Sequence, residues 1–526
     1  MSNCKERFET VPYPFCIMKK SLLFYLTIIF FAILWGIGQY PSFFFLRYFG
    51  LIPFIFIVLK RKHYIIETLI FGTIAYLFNF YWLFITFKES GKLPEIISSL
   101  IVLALCAYYG LQYPIIALIF KKITQFNKKL FYAFPLIFVT IDFLYPKLFT
   151  HSIADSQIGF YSFIQFIDIT GMSGLIIIIM LLNVGFYKLL EKLILKTKLR
   201  VFDFIFLIPF VIAVGYGIVR VDYLAKKEKS LDTTYAAMIQ GNITGKQKMD
   251  RSYLVVNLER YNKLTKEASE KYKPDFIIWP ESVFNRGYDG TDESLKTLLF
   301  DNYPPLIMGI TFWKSRGKSF SLSNSAFLIK DRKVASRYDK RHLLIFGEYI
   351  PFEKTLPFLR YLTPLNYSMT PGITSSIFNI NDKVKACMSI CFEDIFPDEI
   401  RQKVNEGSNL MINMTNDSWY GKGLGPLHHS ILARLRSIEN RRSLYRCTAT
   451  GLTTANDFTG KLIVQGAMWD AEIVTAKLPL YEGRTIYSYI GELVSYLSIM
   501  ITVLLMLFVL IKKYTARKII RPLRKE

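Results

Sequence analysis

At 526 residues the chain is 52% hydrophobic and 16% aromatic, which excludes an ordinary soluble enzyme of this length. Its formal net charge of +24 would suit nucleic acid if the basic residues formed one patch. They are instead dispersed between apolar segments, which excludes a polyanion-binding face.

Apolar residues concentrate in 20–220 and again in 487–511. About 20 mostly apolar residues cross a bilayer, and segments near 21–38, 42–59, 64–87, 96–120, 131–148, 172–191 and 201–220 meet that length, with an eighth at 487–511. Asp142, Pro146 and the 149–171 stretch interrupt the pattern around the fifth and sixth. Within that stretch FYSFIQFIDITG is read as lying along a membrane surface. Asp142 falls at or beside a helix end and is left out of the candidate site.

The basic residues orient these segments. One set of connections carries Lys5, Arg7, Lys19 and Lys20, then Lys60, Arg61 and Lys62, then Lys121, Lys122, Lys128 and Lys129. The same side takes Lys188, Lys192, Lys196, Lys198, Arg200 and the tail Lys512 to Lys525, whereas the opposite side has only Lys88, Lys92 and Lys147. Cytoplasmic loops hold the Lys/Arg excess, so both termini are expected in the cytoplasm and residues 221–486 on the far side. The polar leader and long first apolar segment, without a small-residue cleavage site, read as a signal anchor. The expected division is a helical bundle (1–220), an extracytoplasmic domain (221–486), and a last helix with a basic tail (487–526).

Between 233 and 482 the pattern changes. TTYAAMIQGNI, PDFIIWPES, PPLIMGITFW, SNSAFLIKD, VKACMSICFED, SNLMINMTND and SLYRCTATGLTTAND read as buried strands with polar ends. SYLVVNLERYNKLTKEAS and HHSILARLRSIENRRS have helical spacing. The alternation predicts an α/β architecture with reactive groups at strand ends. Of the six cysteines, Cys4 and Cys16 fall on the cytoplasmic side and Cys106 in a helix. Cys387, Cys391 and Cys447 remain, an odd number that leaves at least one thiol free within the chain. The histidines and cysteines lack metal-ligand spacing, so no metal site is expected.

Three of these segments carry a carboxylate, a lysine and a thiol: Glu281 in FIIWPES, Lys340 and Glu348 in YDKRHLLIFGEYIPF, and Cys391 in VKACMSICFEDIFP. Together they can supply a base, an oxyanion donor and a nucleophile. Each residue alone has a structural reading: a small buried core residue for Cys391, a helix-cap neighbour for Glu281, a solvated turn for Lys340. Cys387 competes with Cys391, since four residues along one strand place both on the same face. A Cys–His reading through His342, His428 or His429 is disfavoured, the first as structural and the pair as a loop or helix start.

The WPES, K-x-H-L-x-x-F-G-E-Y and S-I-C-F-E-D elements resemble the Glu–Lys–Cys set of the nitrilase (carbon–nitrogen hydrolase) superfamily. With QGNI at 240–243, TNDSWYGKGLGPLHH at 415–429 and the flanking helices, nearly the whole chain resembles the apolipoprotein N-acyltransferases. The resemblance implies a nitrilase-like αββα sandwich inserted between transmembrane helices, about seven before and one after. It assigns Glu281 as general base, Lys340 as oxyanion-stabilising lysine and Cys391 as nucleophile, with Glu348, Phe392 and Glu393 in support. Where the family commonly has a tryptophan after Q-G-N-I, this chain has Met249 within GKQKMDR, which bears on substrate preference.

The implied reaction is ping-pong acyl transfer. A phospholipid donates a fatty acyl group to the cysteine, and the N-terminal amine of diacylglyceryl-cysteine on a lipoprotein accepts it, at a bacterial inner membrane. It needs no cofactor, no metal and no nucleic-acid partner. Two other classes share parts of the pattern. A membrane-tethered amidase or nitrilase would use the same trio and release acid to water. A binding or sensing module on a transporter-like bundle is disfavoured by the intact trio and by the lack of evident charge pairs in mid-helix.

Overall fold

In the computed structural model the described residues are 22–520, apart from 150, 285–286, 317–318 and 363–367. The side chain of Met249 also lies outside the described residues, as do the basic residues before position 22 and after 520.

Among the described residues five helices are long and apolar enough to cross a membrane: Pro41–Lys60, Glu95–Phe126, Ile167–Ile194, Val201–Glu228 and Leu493–Thr515. The pair Tyr64–Phe80 and Leu83–Glu89 is bent by 68°, as a broken span or a re-entrant loop, and Leu23–Ile37 is a shorter apolar helix. The segment expected at 131–148 is a 3₁₀ helix over Lys128–Ala133 that runs into an α-helix of eleven residues, Phe134–Leu144. Eleven residues rise about 16 Å, roughly half a bilayer core, and Pro146 stops the helix from continuing.

The FYSFIQFIDITG stretch forms the short helix Tyr161–Ile164 and opens the helix Ile167–Ile194, which kinks at Gly171, where φ is +62°. The last long helix begins at Leu493, after a short turn of helix at Ile486–Ile490. Small hydroxyls pair where helices meet: Ser173 and Ser495 lie 2.6 Å apart, and Thr140 donates to Thr502 at 3.0 Å. Such pairs satisfy polar groups where lipid offers no partner.

The α/β part has two six-stranded sheets. The first contains β1 (Thr233–Gln240), β2 (Phe276–Ile278), β3 (Leu306–Arg316), β4 (Ser319–Lys330) and β5 (Lys333–Asp339). The second contains β6 (Ile377–Asn379), β7 (Lys385–Ile390), β8 (Leu410–Thr415), β9 (Ser443–Thr448), β10 (Thr454–Asn456) and β11 (Leu462–Gln465). β12 (Glu472–Pro479) returns to the first, giving the orders β12-β1-β2-β3-β4-β5 and β11-β10-β9-β8-β7-β6. In each sheet the central strands are parallel (β1-β2-β3 and β7-β8-β9) and the flanks antiparallel.

The inner faces meet in one core, with Met238, Ile278 and Leu328 from the first sheet against Met388, Ile412 and Tyr445 from the second. The outer face of the first sheet is covered by the helix Leu254–Tyr272, through Tyr261 and Ala268. That of the second is covered by Pro397–Asn405 and Leu424–Asn440, through Ile400, Val404 and Ala433. This is a four-layered αββα sandwich.

The helical and α/β parts are locked by buried charge. Arg441, fully buried, donates from Nη2 and Nε to Asp168 Oδ2 at 2.8 and 3.0 Å, and Arg220 and Tyr216 bond the same carboxylate. Asp168 stands in the first turn of the helix Ile167–Ile194, so this charge cluster lies at a helix end and not mid-helix. The main partner of Asp168 is 273 residues away, so helix-by-helix reading could not show it.

Candidate active site

Glu281 lies just beyond β2. Trp279, buried before it, donates from Nε1 to Thr265 Oγ1 at 2.8 Å, tying the strand end to the covering helix. The chain turns at Ser282 (φ +47°) over Gly309, where an added Cβ would stand 2.3 Å from Pro280 O and 2.8 Å from Glu281 Cα. Only glycine on β3 lets this turn sit so close. Lys340 directly follows β5, with its backbone N–H donating to Asn324 O at 2.8 Å.

These groups converge on a cluster that sequence reasoning left incomplete. Lys340 Nζ lies 3.4 Å from Glu281 Oε1 and 2.9 Å from Glu348 Oε2. Between the two carboxylates stands Asn324, whose Nδ2 donates to Glu281 Oε1 and to Glu348 Oε1, each at 2.7 Å. Glu348 also accepts the Leu344 N–H at 2.8 Å. Asn324 was read only as a strand residue. Asn324 stands between Ser323 and Ser325 at the polar start of its run, so no local signal marks it, although a buried amide needs partners.

Cys391 begins a 3₁₀ turn at the end of β7, is 8% exposed and has φ +54°. The same-face expectation for Cys387 does not hold. Cys387 packs outward with Ile400 and Val404, whereas Cys391 belongs to the inter-sheet core. The left-handed backbone at Cys391 breaks the two-residue alternation. Asn413 Nδ2 holds the Cys391 carbonyl at 2.8 Å.

Burial pushes the Cys391 thiol well above its ordinary range, and Glu281 pushes it further, against an opposing pull from Lys340. Burial works against the charge of Lys340, yet Glu348 and Glu281 hold it well above the lysine range. The thiol therefore sits in the opposing fields of Glu281 and Lys340. Lys248, on the short helix Gly245–Met249, feels the same groups: burial lowers it, while Glu281 and Glu348 raise it.

Phe392 and Glu393 take different positions. Lys340 Nζ lies 5.1 Å from the Phe392 ring centre. Glu393 is fully buried and accepts the N–H groups of Ile390 (2.8 Å), Arg341 (2.7 Å) and His342 (3.2 Å), as well as the Tyr338 hydroxyl. It therefore ties the lysine-bearing loop to the cysteine-bearing turn without facing the thiol cluster. His342 bonds Glu399 at 2.8 Å. Asp142 sits near a helix end, paired with Lys147 at 2.7 Å.

His428 and His429 are on the helix Leu424–Asn440 and not in a loop. His429 bridges Asp394 Oδ1 (2.9 Å) and Asp417 Oδ1 (3.0 Å), and Arg446 Nη2 bonds Asp417 Oδ2 at 2.9 Å. Burial works against the charge of His429, but Asp394 and its partners raise its pKa to about 9. In the same way Arg446 and His429 overcome burial to bring Asp417 down to about 2. This charged frame supports the Cys391 turn from behind. QGNI is a second brace: Gln240 Nε2 donates to the carbonyls of Ala467 and Asp470 at 2.6 and 2.9 Å.

Known protein families match the chain in both of its parts. A carbon–nitrogen hydrolase family model matches residues 235–486, and an apolipoprotein N-acyltransferase N-terminal domain model matches residues 31–185. The chain is similar in both of its parts to the apolipoprotein N-acyltransferases. The apolipoprotein N-acyltransferase of Geobacter metallireducens is 28% identical over 432 residues, covering 80% of this chain and 81% of the relative. That of Vibrio parahaemolyticus is 27% identical over 430 residues, covering 78% and 81%. The matched residues thus include both the helices and the Glu281, Lys340 and Cys391 segments.

Proposed function

We propose that this enzyme transfers a fatty acyl group from a membrane phospholipid to the N-terminal amine of diacylglyceryl-cysteine on lipoproteins, through a thioester on Cys391. The observation that carries the reading is the buried Glu281–Asn324–Glu348–Lys340 cluster acting on a neutral thiol. A thiol held above its ordinary range needs a base as it attacks. Cys391 Sγ bonds the ester carbonyl carbon while Glu281 takes the thiol proton. Lys340 and the Phe392 N–H hold the oxyanion, one such donor being worth about 2.7–4 kcal/mol. The C–O bond breaks, Glu281 protonates the departing lysophospholipid alcohol, and the thioester remains. The acceptor amine then forms the C–N bond as the C–S bond breaks, and its proton returns through Glu281 to the sulfur.

Glu348 and Asn324 set the charge and position of Glu281 and Lys340. Glu393 positions both loops through their backbone. In this reading residues 1–220 and 487–526 lie in or at the bacterial cytoplasmic membrane with both termini inside, and 221–486 face the exterior. The skew of basic residues between alternate connections supports that orientation. Large apolar side chains exposed along the segment that follows Lys340, among them Phe346, Phe352 and Phe358, suit contact with a lipid surface.

The test is the intact mass of the full chain after incubation with phospholipid alone, beside Cys391→Ala. The expected result is a gain of one acyl group, labile to hydroxylamine, absent from the variant and discharged by a diacylated lipopeptide. Release of free fatty acid without an adduct would make the protein a hydrolase. An adduct that persists in Cys391→Ala would remove Cys391 as nucleophile.

A further inference from the structure

We propose that His151, Asp155 and His428 form a site for a divalent first-row metal ion, with zinc the best match, at the seam between the helical and α/β parts. One donor atom from each residue lies within 4.8 Å of the others. His151 Nδ1 is 3.2 Å from Asp155 Oδ2, and His428 Nε2 is 3.8 Å from the same oxygen. Tetrahedral zinc bound at about 2.0–2.2 Å holds adjacent donors roughly 3.3–3.5 Å apart. The two distances bracket that value, and the two imidazole donors lie within 4.8 Å of each other. Two imidazoles and one carboxylate with a fourth position open form a donor set that zinc favours.

A second observation points the same way. His428 Nε2 is buried without a hydrogen-bond partner, although buried polar atoms are ordinarily satisfied. Asp155 Oδ2 is fixed toward the site by the Ser152 N–H at 2.9 Å. Gln39 Nε2 stands 3.1 Å from His151 Nδ1, and the metal takes the place of that contact. The ligands come from two distant stretches of chain, which is why residue spacing shows no metal motif.

The site's consequence lies in its neighbour. His428 precedes His429, which bridges Asp394 and Asp417 behind the Cys391 turn. A metal held by His428 and by the 151–155 connection fixes the start of that helix against the bundle. His151, Asp155 and His428 act as positioning residues.

The test uses the full-length chain in nanodiscs, purified without a polyhistidine tag and equilibrated with zinc sulfate or cobalt(II) chloride. The expected result is about one zinc per chain by elemental mass spectrometry, falling at least tenfold in His428→Gln and in Asp155→Asn. Cobalt should give the visible bands of a tetrahedral complex, displaced by zinc. Zinc far below one per chain in the wild type, equal zinc in the variants, or no tetrahedral cobalt spectrum would each overturn the proposal. Should the variants fail to fold, the cobalt spectrum of the wild type and its displacement decide alone.

Discussion

Trp82, at the break between Tyr64–Phe80 and Leu83–Glu89, meets Tyr420 of the α/β part edge to face, with ring centres 5.2 Å apart. The fit is tight: an added Cβ on Gly425 would approach the Trp82 ring within 2.8 Å, and one on Gly421 would approach Ile85 within 2.9 Å. A helix break thus leans on the loop that follows Asp417. Trp82→Ala should lower stability by about 3–5 kcal/mol, as for other buried tryptophans. It should also slow acyl transfer by about 10²-fold through displacement of that loop. Trp82→Phe should retain most of both. Thermal melts in detergent alongside single-turnover rates check this, and an unaffected Trp82→Ala rate would remove the link between break and site.

Asn324 is the second test. Its amide satisfies two carboxylates at once, and a buried charged acceptor stripped of its donor costs about 1–3 kcal/mol or more. Asn324→Ala should reduce the rate of thioester formation by about one to two orders of magnitude while leaving the fold intact. Asn324→Asp should be worse, because a third carboxylate enters the cluster. Stopped-flow acylation with a chromogenic ester distinguishes the two.

Glu281→Gln separates burial from charge at the thiol. Both raise Cys391, so removing the Glu281 charge should move the midpoint of Cys391 alkylation to lower pH while leaving it above that of an exposed cysteine. Acylation by ester should nonetheless fall by about 10²–10⁴-fold, because no base takes the proton. A variant that acylates at the wild-type rate would exclude Glu281 as base.

His429 gives stability a pH dependence of definite sign. Its folded pKa of about 9 lies above its ordinary value of 6.5, so the imidazolium stabilises the fold fully below pH 6.5. That contribution, on the order of 3 kcal/mol, is lost progressively as pH rises through 9. Chemical denaturation between pH 6 and 10 should show the decline, and His429→Gln should flatten it.

Arg441→Ala leaves Asp168 buried with only the partly exposed Arg220 and Tyr216 as partners. Breaking one side of a buried pair costs about 3–5 kcal/mol. The double variant Arg441→Leu with Asp168→Leu should recover much of the loss. Denaturant midpoints of the single and double variants decide.

The αββα architecture was legible because buried parallel strands such as KACMSI and LMINMT are continuous apolar runs that end at polar residues. β5, β6, β11 and β12 were not read as strands. β5 begins with exposed residues, β6 and β11 are short, and β12 is half-exposed along much of its length. Glu281, Lys340 and Cys391 stood out through the motifs around them. Asn324, His429 and Arg446 did not, since their partners lie 12 to 43 residues away and nothing local marks an asparagine on a strand or an arginine inside one. The face of Cys391 was unreadable for another reason: a positive φ is a property of the fold, not of cysteine.

β1 and β12 pair along their whole length, with Thr233 opposite Pro479. The chain therefore enters and leaves the α/β part side by side, and its two covalent links to the helices amount to a single stalk. A body hung from one stalk is free to swivel, so its covalent attachment alone does not set its bearing. That bearing is fixed by contacts away from the pivot, Asp168 with Arg441 and Trp82 with Tyr420, which act as stays holding the α/β part in register with the helices.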